Sequence, residues 1–455
     1  MKHEQILAVF QDCGDFVWRK LNISGQELYY YCIDGMTAGA EIGELVLRPT
    51  MQDLTGDSME ALYENALGRD IYAAVVKPAK TVQEVVNFLV NGFTILLFPS
   101  VGAISIETKS PVKRLPAPPQ VENTVKGAKD AFTETMRINT TLIRYHMRSP
   151  DLRIFQTVVG KDSLTNVSVV WLKGKTSENL VEMTKNRINS MNIDGLITPS
   201  AVEEYISGTR TTPFPLVQYT ERADRFATAL LAGRVGILVD GLPVGYLVPV
   251  DLGRLMESTE DTARDYVTAT ALRALRYFAL MVSLLLPALY VAMATYHPEM
   301  LPTKLLLSII TSKENVPFPT ILEVIFLLLA FEILQEAGLQ LPQSIGQSVS
   351  IIGGLVVGSA AVEAQIISPA ALIAVAVAGI CGFALPQRDF ANAIRLCRFG
   401  LTILASLAGL VGVVLGFMAL VGHLAGLTSY GKPYLAPFSD LEGGDAVVRR
   451  RFGGN

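Results

Sequence analysis

Residues 277–295 read YFALMVSLLLPALYVAMAT, and no charge interrupts them. Nineteen such residues match the roughly 20 that an α-helix needs to cross the hydrocarbon of a bilayer. A helix buried in a soluble core would keep a charged face every turn; this one has none. Similar runs follow. Between Glu336 and Arg388 the one formal charge is Glu363, and between Arg398 and Lys432 there is none. Five hydrophobic segments result, at about 277–296, 318–337, 345–364, 366–385 and 400–424. Composition agrees. Half of the 455 residues are hydrophobic and 18% are charged, against roughly 25% charged in an ordinary soluble domain.

Working outward, residues 1 to about 265 carry ordinary charge density. The opening MKHEQILAVFQDCGDF has charges in its first turn and no long apolar run, so no secretory signal is expected there. The net charge of −4 excludes a broadly basic nucleic-acid binder. Cys13, Cys32, Cys381 and Cys397 are too scattered for a disulfide framework and lack zinc-site spacing. There is no GxGxxG after a strand, no GxxxxGK[ST], no GxSxG and no HExxH, so neither enzyme chemistry nor a cofactor is expected.

The soluble half repeats one pattern. Its first unit has strands at Phe16–Ile23 and Leu28–Ile33, the turn Asp34-Gly35, a helix at Val82–Val90, the turn Asn91-Gly92 and the run FTILLF. The second has strands at Leu152–Val159 and Val167–Leu172, the turn Lys173-Gly174, the helix SENLVEMTKNRINSM, a helix at Arg225–Leu231, the turn Ala232-Gly233 and RVGILVDGLPVGYLVPV. Gly35 to Gly92 is 57 residues and Gly174 to Gly233 is 59. Apolar strands alternating with 3.6-period helices indicate two similar α/β subdomains. Asp240, before Gly241, reads as a turn residue ahead of a catalytic one.

The expected organisation is a first α/β subdomain over 1–109, a linker and connecting helix over 110–150, and a second subdomain over 151–260. A helical membrane domain over 261–430 and a tail over 431–455 complete it. The linker SPVKRLPAPPQVEN (110–123) holds four prolines and reads as extended. The helix after it carries Arg137, Arg144 and Arg148, for which a basic phosphate-binding surface is the less favoured reading beside a solvated face.

Arg264, Arg273 and Arg276 precede the first hydrophobic segment, and Arg388, Arg395 and Arg398 follow the fourth. Both clusters fall on the cytoplasmic side by the positive-inside rule, which four crossings satisfy. A fifth crossing then puts Arg449, Arg450 and Arg451 outside, against the same rule. Either the tail is outside or one segment is re-entrant, and the middle three are the suspected place.

Intramembrane carboxylates carry the most information. Glu323 and Glu332 lie in PFPTILEVIFLLLAFEILQEAG (317–338), and Glu363 lies in GSAAVEAQIISP. An ionised group in hydrocarbon costs several kcal/mol, so each must face protein, a partner or water. Glu363 reads equally as part of a polar turn. Nine residues separate Glu323 from Glu332, about 180° of helix, so they cannot share one lumen. With no Lys or Arg between 314 and 387, Glu332 lacks a basic partner within its own segments. Glu332 is a candidate for a pore wall or a subunit contact, as are Glu323, Glu363, Gln347 and Ser350. Gln347, Ser350, Gly354 and Gly358 line one face of the third segment, as a packing face or as a lumen. Gly354-x-x-x-Gly358 and Gly412-x-x-x-Gly416 have the spacing of close helix packing.

These stretches taken together resemble the GerA family of spore germination proteins. The resemblance rests on GFTILLF (92–98), FTETMRINTTLIR (132–144), PFPLVQYTERADR (213–225), LLPALYVAMATYHPEMLPTKLLLSI (285–309), residues 317–338, LPQSIGQSVSIIGGLVVGSAAVEAQIISP (341–369), ANAIRLCRF (391–399) and YGKPYLAPF (430–438). It implies the A subunit of a nutrient germinant receptor in the inner spore membrane, its N-terminal region on the cytoplasmic side. It further implies a transporter-like, nutrient-binding B subunit and a lipoprotein C subunit as partners. The A subunit is then expected to oligomerise into a channel for monovalent cations. FPSVGA stands where the family has an acidic turn, and ALPQRDF where a serine-tyrosine pair follows the proline. A secondary transporter is the alternative; it would show inverted repeats in the membrane half, whereas the visible repeat is in the soluble half.

Overall fold

In this computed structural model, residues 1–109, 122, 126–208, 211–340 and 358–439 are described. The chain divides into two units, residues 1–210 with 216–249, and residues 211–215 with 250–455.

The first unit holds two five-stranded sheets. Strands β1 (Phe16–Ile23), β2 (Gln26–Ile33), β3 (Val76–Ala79), β4 (Phe93–Phe98) and β5 (Gly102–Glu107) lie in the order β1-β2-β4-β5-β3. Strands β6 (Leu152–Val159), β7 (Thr165–Leu172), β8 (Gln218–Thr220), β9 (Val235–Val239) and β10 (Gly245–Val248) lie in the order β6-β7-β9-β10-β8. The two orders correspond when β3 is matched to β8, and every pairing is antiparallel. The central strands β4 and β9 are buried along their whole length. That is why FTILLF and VGILV read as continuous apolar runs instead of alternating ones.

Helix α1 (Val82–Val90) starts at a Thr81 cap, whose hydroxyl accepts from the Glu84 N–H at 3.2 Å. It buries Val85, Val86, Leu89 and Val90 against the first sheet. Helix α2 (Met136–His146) connects the sheets, α3 (Glu178–Asn189) flanks the second, and α4 (Ala223–Leu231) buries Phe226 and Leu230 in its core. Gly92 and Gly233, the equivalent glycines after α1 and α4, have φ of 82° and 80°. A Cβ on Gly92 would stand 3.0 Å from the Met36 carbonyl oxygen, and one on Gly233 2.9 Å from that of Lys175. Met36 and Lys175 each follow a turn glycine, Gly35 and Gly174. One tight backbone contact therefore occurs twice, which accounts for the matched intervals.

The second unit is helical. Helix α5 (Tyr266–Thr295) starts at Asp265, whose carboxylate accepts from the Thr268 N–H at 3.0 Å. Arg276 grips the buried Asp261 with both terminal guanidinium nitrogens at 2.6 Å, immediately before the charge-free stretch. Then come α6 (Thr303–Lys313), α7 (Thr320–Gln340), α8 (Pro369–Phe383) and α9 (Arg388–Gly426). Among the described residues, α5 and α9 are long and apolar enough to cross a membrane by length and composition. The third hydrophobic segment lies outside the described residues as far as 357.

Helix α9 does not run straight. Ala408 and Gly409 leave helical geometry, Gly409 with φ 60° and ψ −140°. A Cβ on Gly412 would stand 2.1 Å from the Leu404 carbonyl oxygen, and one on Gly416 2.7 Å from side-chain carbons of Leu401 and Leu404. In a straight helix eight residues rise about 12 Å. Near the ends, the Phe214 ring lies with its centroid 6.1 Å from those of both Phe390 and His423. Partners whose numbers sum to a nearly constant value define an antiparallel hairpin. Among the described residues, the turn-back thus lies in the fifth hydrophobic segment. After it, the pair β11 (Thr428–Ser429) and β12 (Lys432–Pro433) leads to Tyr434, whose carbonyl accepts from the Leu252 N–H at 2.8 Å. Lys432 pairs with Asp251 at 2.7 Å.

Candidate functional site

Helix α7 is apolar around its whole circumference apart from its carboxylates and amides. Val324, Leu327 and Leu328 are buried, and Phe331 packs where a Cβ on Gly379 of α8 would stand only 2.5 Å from its ring. Leu322, Phe326, Leu329 and Ile333 form the exposed face. Glu323 and Glu332 flank the buried stripe on opposite sides.

Glu323 is sealed. One carboxylate oxygen accepts from the Ser368 N–H at 2.9 Å and from its hydroxyl at 2.7 Å; the other lies 3.1 Å from the Lys313 ammonium. Ser368 is the cap residue of α8, so the carboxylate sits at the positive end of that helix. This arrangement joins α6, α7 and α8 at one end of the unit.

Glu332 lies near the other end of α7. It accepts from Arg395 at 2.9 Å and from Arg398 at 3.2 Å, both on the first arm of the hairpin. Arg395 also contacts Gln335 and Asn392. Arg398 is 1% exposed, whereas the side chains of Arg395 and Glu332 are 23% and 28% exposed. The partners missing from the α7 sequence are thus supplied from 63 and 66 residues further along.

The remaining candidates scatter. Glu363 is exposed at the end of a helical turn. Gln347, Ser350 and Gly354 lie outside the described residues. Gly358 makes ordinary contact, its Cβ position being 3.5 Å from Leu372. Gly412 and Gly416 are occupied by the hairpin's own first arm.

In the first unit a polar cleft of 290 Å³ is lined by Asp15, Asp34, Arg137, Gln156, Asn166 and Asp240 among others. Its charged walls are engaged. Arg144 grips Asp15 at 2.7 and 2.8 Å, Arg137 reaches Asp34 at 2.7 Å, and Asp240 accepts from the Met136 N–H at 2.8 Å. Arg148 donates to Asn91 at 3.2 Å. Arg144 is buried and the other two are committed within the fold, so the three arginines form no common basic surface. Asp240, read as a turn residue, also holds the start of α2.

The family model described as Bacillus/Clostridium GerA spore germination protein matches residues 4–453. The chain belongs to the GerA family. Its relatives in Bacillus subtilis include the uncharacterized membrane protein YfkQ, 36% identical over 98% of this chain and 88% of that one. Spore germination protein A1 is 32% identical over 95% and 89%, and spore germination protein KA 34% identical over 96% and 81%. Among solved structures, the N-terminal domain of the A subunit of the Bacillus megaterium spore germinant receptor GerK3 aligns with 54% of this chain and 92% of that one, at 23% identity and a TM-score of 0.42. Within this GerA chain the stretch YTERADR serves as a clamp. Buried Arg222 is held by Asp224 at 3.0 and 2.6 Å, and Arg225 pairs with Glu122.

Proposed function

We propose that the chain is the A subunit of a nutrient germinant receptor, set in the inner spore membrane through its helical unit. The carrying observation is the GerA match over nearly the whole chain, soluble and apolar parts together. The names of the relatives, spore germination proteins A1, KA and B1, support it. In this reading it works with a transporter-like B subunit and a lipoprotein C subunit. Several copies form a path for monovalent cations that opens when nutrient is sensed, and Glu332, the one partly exposed carboxylate of α7's two clamps, borders it.

The hairpin supports a definite topology. With four crossings followed by a segment that turns back, Arg264, Arg273, Arg276, Arg388 and the terminal arginines would all fall on one side, the cytoplasmic side by the positive-inside rule. The conflict raised by a fifth crossing then disappears.

Two measurements test the reading. In spores whose other GerA-family receptors are deleted, removing this chain should abolish germination on a nutrient panel, and restoring it with its neighbouring subunit genes should return the response. The complex purified into liposomes should pass monovalent cations when that nutrient is added. Spores indifferent to the chain across the panel would refute the receptor role; a nutrient response without flux would refute the channel alone.

A further inference from the structure

We infer that α7 pivots about Glu323 and that Glu332 is the latch holding its other end against the hairpin. The two carboxylates lie nine residues apart, on opposite sides of one helix, and each grips a different neighbour. Their surroundings differ in a way that decides which end moves. Glu323 is buried at the positive end of α8, where the Ser368 N–H, the Ser368 hydroxyl and Lys313 all serve it. Parting there would strip a carboxylate with 0% side-chain exposure of two hydrogen bonds and an ion pair at once.

At the Glu332 end, both Glu332 and Arg395 already meet solvent or lipid over about a quarter of their surface. Water can take over their hydrogen bonds as they separate. The latch also contains an unsettled element. Arg398 is sealed, yet its Nε has no hydrogen-bond partner among the described residues. Its contact with Glu332 is the longer of the two at 3.2 Å. Ile333, on the outer face of α7 at that end, is exposed, so the packing an outward swing gives up there is the seat of Phe331 on Gly379. The same seat stops motion in the other direction. The result is a two-state element with a fixed end and a releasable end. It goes beyond the channel reading, because the latch can exist whether or not ions pass.

The test uses the full chain in lipid nanodiscs, with its four native cysteines replaced by alanine. Spin labels at Ile333→Cys and Leu396→Cys report the latch; labels at Leu322→Cys and Ile373→Cys report the pivot. All four positions are exposed. Glu332→Gln should add a latch distance about 5 Å or more longer, on the scale of one helical turn, with the pivot distance unchanged. An unchanged latch distance in Glu332→Gln, or a pivot distance that moves equally, overturns the proposal. If Glu332→Gln does not fold, Arg395→Gln carries the test, because Arg395 is partly exposed and its loss is milder. A longer latch distance there supports the latch, and none overturns it. Ion flux is not part of this readout, so failure of the channel reading stays separate.

Discussion

Leu404 and Gly412, eight residues apart on either side of the break at Ala408 and Gly409, face each other so closely that the Leu404 carbonyl oxygen would lie 2.1 Å from a Cβ at 412. Glycine is what allows the two arms to touch. Gly412→Ala should therefore lower the thermal midpoint of the detergent-purified protein, at a cost of about 2–3 kcal/mol, the range of an overpacked core site. Gly422→Ala, ten residues further along with nothing within 4 Å of the new methyl, should leave it unchanged. Equal effects would refute the hairpin.

A second contrast concerns the repeated turns. Gly233 and Gly241 both have positive φ, 80° and 87°, so alanine pays about 1–2 kcal/mol for the left-handed backbone at either. At Gly233 the methyl would also press on the Lys175 carbonyl at 2.9 Å, while at Gly241 it meets nothing. Chemical denaturation of residues 1–249 should show Gly233→Ala as the costlier change by about 1 kcal/mol or more.

Arg144 and Asp15 are 1% and 3% exposed. Asp15→Asn leaves a buried guanidinium without its counter-charge and should destabilise the first unit by about 3–5 kcal/mol. Arg144→Met with Asp15→Leu should recover much of that loss. A double variant no better than Asp15→Asn would show that the pair's value lies in its hydrogen bonds and not in charge balance.

The hydrogen bond from His146 to Asp130, at 2.5 Å, holds the imidazole above its ordinary value, against the opposing effect of burial. A raised folded value means the stabilisation is complete below the usual imidazole range near 6.5 and fades as pH rises through the folded value. Melting curves of residues 1–249 should show the wild type gaining about 1–2 kcal/mol over His146→Gln at pH 5.5, with the gap closing by pH 9. A gap independent of pH would refute the account.

The strands and helices of the first unit were legible because their signals are local. Phe16–Ile23, Val82–Val90 and Leu152–Val159 coincide with the elements read from periodicity, and the turn glycines mark their ends. The partners of Glu332 were not legible. Arg395 and Arg398 sit on another helix, and no short-range pattern links positions 63 or 66 residues apart. The hairpin was hidden differently. Gly409 is one of six glycines between 400 and 426 in a run that stays apolar throughout, so nothing in composition singles it out. The one sequence cue was indirect, in the three arginines that an odd number of crossings would strand on the wrong side.

Those arginines bear on how the protein is made. A segment that doubles back at Ala408 and Gly409 can enter a bilayer as a preformed pair of arms, pushed in tip first. Its trailing residues then stay on the face where the ribosome released them. On the proposed topology Arg449, Arg450 and Arg451 would not be carried through hydrocarbon, a passage costing several kcal/mol for each charge. On that topology, insertion of the apolar hairpin would need no translocation of the polar residues that follow it.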